Sequence, residues 1–313
     1  LAAMVIMLLA LTSLSPLKAQ HLVLDSDEAN RFGEVLAQDQ KGRTKPLYTI
    51  SSDILRKVAR EKEFEGLSPM QVFMGFSLDP YHWQNVPLIK VSNAELSGLL
   101  NLKGDRAAFS DIVTFGDEGG YKLSAYVEKA YAKPASERTR FDKEVIKVDE
   151  RVNICYMMSE GGFMNIFPLK DGTDRWGSSS DAARHTAGVE DSLFVLNAIP
   201  MWAQAVTAVG SAPVKPEEYL RAIKEYQKAH SEYDLPSESR IRAELLYYRA
   251  NIFEKLFPFY ATLGLLMIMA LISFIITGKG GGSVFMKILF SLAVAGFIFH
   301  TLGLGIRWYI SGH

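Results

Sequence analysis

Residues 256–277 read LFPFYATLGLLMIMALISFIIT and residues 284–306 read VFMKILFSLAVAGFIFHTLGLGI. Neither stretch contains Asp or Glu, and only Lys287 and His300 interrupt the second. About 20 apolar residues carry a helix across a bilayer, so both stretches predict transmembrane helices. The connector GKGGGS at 278–283 is short and holds Lys279, with Lys287 just beyond it. Positive charge at a turn marks it as cytoplasmic. The preceding domain and His313 are then expected on the outer side.

Charge divides the rest of the chain. Residues 21–255 hold all 35 acidic residues and 30 of the 34 basic ones, a net charge of 30 − 35 = −5. That balance disfavours a nucleic-acid partner, which wants a basic face. Residues 1–20 lack acids and carry only Lys18. The apolar run Ala2–Leu14 reads as the outer end of a preceding transmembrane helix in a longer protein, of which this chain is a fragment. A signal peptide cleaved near Ala19-Gln20 is the alternative. Either reading exports residue 21.

The fold class expected is a mainly α membrane protein. It comprises an exported, mostly helical domain (21–255) with a few short β-strands, then a two-helix transmembrane hairpin (256–277 and 284–306). Residues 307–313 would begin an external loop. Within the domain, 33–39 and 44–49 flank a short polar loop ending in Gly42-Arg43, which predicts a hairpin. Pro46 confines the second strand to an edge. Helices are predicted over 51–60, from Pro69 after an Ser68 cap, and over 93–100, 120–132, 135–158, 190–209 and 216–231. Short strands are expected at 88–91 and 161–168. The Gly-, Ser- and Asp-rich stretch 171–184 reads as a mobile loop. The last helix begins near Ser237, and no breaker precedes Pro258, so it is expected to enter the membrane without interruption.

The single cysteine, Cys155, allows no internal disulfide. Phe141, Val145, Val148, Val152 and Cys155 recur at helical spacing, which predicts core packing for the thiol. His21, His82, His185 and His230 form no recognisable metal-ligand pattern. Ser178 to His185 contains no nucleophile elbow, and the 278–282 glycines lack the phosphate-loop order.

His300 is the residue of most interest. An ionisable side chain in an apolar span is costly and marks a functional site by default. Arg307 follows seven residues on, about 700° around the helix and so on the same face. Gly303 between them permits close approach of a helix or a flat ligand. A neutral imidazole is a good iron ligand, and an interfacial arginine suits a propionate. The alternative from spacing alone is a histidine hydrogen-bonded to a neighbouring helix, with Arg307 snorkelling to the surface. His313 stands just outside the span. Trp308-Tyr309 reads as an interfacial anchor.

With these residues in view, the chain resembles the System II cytochrome c biogenesis proteins in the fused ResB–ResC (CcsBA) form. Residues 31–39, 42–49 and 54–57 are similar to the exported segment before the ResC-like core. Trp83–Lys90 is similar to a second such stretch, and His300–His313 to the first helix and following loop of that core. These stretches cover roughly a sixth of the chain. The resemblance implies a membrane cytochrome c synthetase that exports haem (haem b) and presents it for thioether attachment to apocytochrome c. It implies a bacterial inner-membrane location, a periplasmic large domain, and further transmembrane helices in the same or a partner chain. It makes His300 a candidate iron ligand, and Arg307 and His313 candidate haem contacts. No catalytic residue is implied, and the fragment alone is expected to be inactive. The family's tryptophan-rich haem loop is not present, since Trp occurs only at 83, 176, 202 and 308; it is expected after His313. A membrane-anchored solute-binding or sensor domain, signalling through an unbroken 237–277 helix, is the competing expectation.

Overall fold

The computed structural model describes residues 23–114, 119–186, 188–207, 214–278 and 284–311. Helices account for 66% of these, and the strands are short, so the chain is mainly α. It divides into two units, one formed chiefly by Ile54–Gly162 and the other by Asn30–Asp53 with Phe163 onward.

The first unit is built on helix Arg140–Ser159. Its start is fixed by a capping box in which Thr139 and Asp142 satisfy each other's backbone N–H groups. Val145, Val148, Val152, Cys155 and Met158 form its buried stripe, which is the expected placement for Cys155. Helix Pro69–Leu78 packs against it. That helix begins with the predicted Ser68 cap, closed by Gln71. It ends at Asp79, which caps the four-residue helix Pro80–Trp83. Gly75 is required there, because a Cβ would stand 2.2 Å from the Trp83 indole nitrogen. Buried Arg151 ties three segments together: it meets Glu144 at 3.2 Å and donates to the carbonyls of Lys57 and Lys90.

Several boundaries in this unit differ from the sequence expectation. Strand Ile89–Lys90 pairs antiparallel with Arg106–Ala107. Gly120–Tyr121 is a strand on Val113–Thr114, so the next helix is confined to Ser124–Ala132. The long helix starts at Arg140 rather than at 135, where the Thr139 cap sets the boundary.

In the second unit, Leu36–Gln38 pairs antiparallel with Thr44–Pro46, in register Ala37 with Lys45. Gly42 takes φ +83°, the left-handed conformation the loop requires. Helix Leu47–Val58 begins earlier than expected. The N–H groups of Leu47 and Tyr48, orphans of a first turn, donate to the carbonyls of Val35 and Gly33.

The stretch expected to be a mobile loop is largely structured. Trp176–Gly177 pairs with Phe167–Pro168, the part of the predicted 161–168 strand that is extended in a sheet. Ser178 then caps helix Ser179–His185, so a Ser-rich stretch proves to be a helix start. Gln38 joins the two hairpins, accepting from the Trp176 N–H at 2.9 Å and donating to Asp174 O at 2.5 Å. Buried Gln227, on helix Pro216–His230, donates to Leu36 O and Ile166 O, each at 2.8 Å. Trp202, on helix Val189–Thr207, packs on Phe32 with ring centroids 4.3 Å apart.

The predicted unbroken 237–277 helix is not found. Helix Glu238–Ala250 ends at Asn251, which adopts φ 49° and ψ 45°, and a new helix runs from Ile252 to Thr277. Asparagine is one of the few residues that enter this conformation readily. The final helix is Val284–Ser311. Both last helices are long and apolar enough to cross a bilayer, and few of their residues are buried in the chain itself. A core helix of a soluble domain would be mostly covered.

Candidate functional site

On the 284–311 helix, Gly296, His300, Gly303, Arg307 and Ile310 recur at spacings of four and three, a single face. The small residues on it bring the neighbouring helix close. A Cβ on Gly296 would lie 2.7 Å from the Phe259 ring and 3.0 Å from Tyr260. One on Gly303 would lie 3.1 Å from the tip of Phe253. His300 sits between these two contacts and is half-buried.

The imidazole meets Phe253 edge-on, at 5.2 Å between centroids and 79° between planes. Tyr260 stands 6.5 Å away. Among the described residues neither ring nitrogen of His300 has a hydrogen-bond partner, so the interhelical hydrogen bond weighed from the sequence is not formed. The ring is held by aromatic packing, with its nitrogen lone pair uncommitted.

Phe253 is the second residue of its helix, so His300 lies level with that helix's first turn. The 284–311 helix is about 42 Å long at 1.5 Å per residue, and its last eight residues pass the start of its neighbour. They pack against helix Glu238–Ala250 instead. The Tyr309 hydroxyl lies 2.9 Å from Ser239 Oγ, and Arg240 Nε donates to Tyr309 O at 3.3 Å. The latter bond satisfies one of the four orphan carbonyls at a helix end. Residues 307–311, expected to open a loop, are therefore helical.

Arg307 is exposed and forms no ion pair among the described residues. The structure thus brings Gly303 and His300 into one contact surface and leaves Arg307 outside it. His313 lies outside the described residues, as do residues 1–22 and the 279–283 turn. Phe253, Phe259 and Tyr260, which shape the histidine's surroundings, were missed by sequence reasoning. Their clustering at the head of an apolar run was the available signal.

Glu244 is a second feature the sequence did not reveal. It is buried on helix Glu238–Ala250 and meets Arg43 of the hairpin at 2.6 Å. Burial raises its carboxyl above the usual range, against the opposing pull of Arg43. On the same helix Tyr248 donates to Asp53 at 3.1 Å, and Arg249 lies over the Tyr48 ring at 5.2 Å. The helix that leads to the apolar pair is therefore fastened to the 36–46 hairpin and the helix after it.

For a porphyrin iron, the donor chemistry fits in part. One imidazole without a hydrogen-bond partner, among aromatic rings, would be a chemically suitable ligand for such an iron. No group of three or more His, Cys, Asp or Glu that could hold a metal occurs among the described residues. Among the described residues of this stretch, His300 is the one imidazole.

No family model matches the chain. It is similar to Protein NrfI of Wolinella succinogenes, with 33% identity over 293 residues. The match takes in 90% of this chain and 31% of that protein, so the chain spans about a third of the length of the curated relative it resembles.

Proposed function

We propose that this chain is a segment of a System II cytochrome c biogenesis protein of the fused ResB–ResC type. The observation that carries the reading is the similarity to Protein NrfI along nine-tenths of the chain, which supports a role in cytochrome c biogenesis. The two apolar helices form a membrane anchor, and the preceding residues form a periplasmic domain. The long protein exports haem and presents it to apocytochrome c.

In this reading haem is the cargo, and its vinyl groups take up the thiols of the partner's cysteines. His300 offers its free imidazole nitrogen to the iron near the outer end of the helix pair. Phe253 and Tyr260 limit the ring's rotation, and their apolar surfaces exclude water from its inner side. Arg307, exposed two turns on, is placed to pair with a propionate, and His313 is a candidate second contact. The exposed apolar faces, such as Ile275 and Phe297, pack against lipid or the remaining transmembrane helices. Asn251 interrupts the continuous helix on which the sensor alternative rested.

The test uses the full-length protein. It is expected to purify with b-type haem absorbance, and His300→Ala is expected to lower haem content or make it depend on added imidazole. Unchanged haem occupancy together with unchanged cytochrome maturation would remove His300 from the site.

A further inference from the structure

The Ile54–Gly162 unit contains a cavity of about 530 Å³ beside the C-terminal end of helix Arg140–Ser159. Phe76, Phe109 and Cys155 line its floor, and Tyr81, Tyr156 and Glu160 its exposed part. Tyr81 is 83% exposed and Tyr156 51%, so both rings are open to a partner at the cavity's edge. Neither ring contacts another ring among the described residues, and neither hydroxyl has a hydrogen-bond partner there. Among the described residues, none that lines the cavity is basic.

These features share one electrostatic sign. Tyrosine faces attract cations through the ring quadrupole. The end of a 20-residue helix carries partial negative charge. Glu160, the residue that ends this helix, adds a full carboxylate. The aromatic floor suits a methylene stem, as when lysine or arginine buries its carbons and keeps its charge at a polar rim. An anion would be repelled here, and a neutral apolar side chain would gain nothing from Glu160. Burial pushes the Cys155 thiol up from its ordinary range, so the floor holds no nucleophile.

We propose that this cavity is a docking site for a lysine or arginine side chain presented by a partner protein, with Tyr81 and Tyr156 as the cation-binding rings and Glu160 as the counter-ion. The proposal rests on the cavity alone and stands apart from the haem-handling role.

The test titrates the detergent-solubilised full chain with an end-capped glycine–serine peptide carrying several lysines. Counterparts replace each lysine with norleucine, which keeps the stem and removes the charge, or with glutamate. Saturable binding of the lysine peptide is expected, with the norleucine peptide roughly threefold or more weaker and the glutamate peptide inert. Tyr81→Ala and Tyr156→Ala should each weaken lysine-peptide binding about threefold. Tyr156→Phe should preserve it, because the ring and not the hydroxyl carries the attraction. Glu160→Gln should weaken it as well. These surface changes leave the core intact, which matching circular dichroism would verify. Absence of saturable binding, equal affinity for the norleucine peptide, or wild-type affinity in the Tyr81→Ala/Tyr156→Ala double variant would overturn the proposal.

Discussion

The imidazole of His300 meets the ring of Phe253 edge-on, with centroids 5.2 Å apart and planes at 79°. One ring thus confines another where two apolar helices first come together. Replacing Phe253 by Ala should expose the imidazole and raise its rate of modification by diethyl pyrocarbonate several-fold in detergent. Tyr260→Ala should do less, because that ring stands 6.5 Å away. An unchanged rate in Phe253→Ala would show that Phe253 does not shield the histidine.

Gly296 is the tighter of the two glycine contacts in the helix pair, since a Cβ there would approach Phe259 to 2.7 Å and Tyr260 to 3.0 Å. A larger side chain must push the helices apart. Gly296→Leu should destabilise the pair by about 1–3 kcal/mol, the usual cost of overpacking. Thermal unfolding in detergent would measure it. Gly303→Ala should be milder, because the atom it meets is the tip of a movable ring at 3.1 Å. Equal stability of both variants would count against this packing.

Asn251 holds φ 49° between two helices. Glycine adopts that conformation freely, whereas a β-branched side chain clashes with the backbone. Asn251→Gly should be close to neutral, while Asn251→Val should cost about 1–2 kcal/mol. The likeness of the two variants in a melting experiment would mean that the break is not fixed at this residue.

Asp142 links pH to the first unit. Lys133 at 2.8 Å and the Thr139 N–H hold its carboxyl down at about 2, from an ordinary 3.8. A group with a lowered folded pKa stabilises above its unfolded pKa, and that contribution disappears as pH falls through the folded value. Helix Arg140–Ser159 should therefore lose stability between about pH 4 and pH 2. Asp142→Asn should flatten the urea-midpoint profile over that window. A variant profile parallel to wild type would refute the assignment.

Glu244 is buried beside Arg43, whose side chain is 46% exposed. Removing Arg43 strands a carboxylate that burial already disfavours. Arg43→Ala should cost about 1–3 kcal/mol. Adding Glu244→Gln should recover part of it, since a neutral amide is cheaper to bury. Failure of the second change to restore any stability would show that the loss comes from Arg43 packing.

The capping residues were legible in advance because a cap is a local arrangement. Ser68 with Pro69 and the 40–43 turn with Gly42 each solve a backbone problem within four residues, so neighbouring chain decides them. The 171–184 stretch departs from its sequence expectation for the opposite reason. Its Gly, Ser and Asp residues are equally at home in a loop. What orders it is Gln38, 138 residues away, which accepts the Trp176 N–H.

The same division holds for the helix pair. Two acid-free runs of hydrocarbon length fixed a pair of apolar helices in the sequence alone, because hydrophobicity sums residue by residue. The one-face spacing of His300, Gly303 and Arg307 was also determined by helical periodicity. Tertiary structure alone decided that Asn251 breaks the chain's approach to the pair and that Phe253 confines His300. It alone placed Arg307 outside the contact surface. Asparagine tolerates the left-handed conformation without demanding it, and which rings meet depends on how two helices cross. Neither quantity is carried by any single stretch of residues.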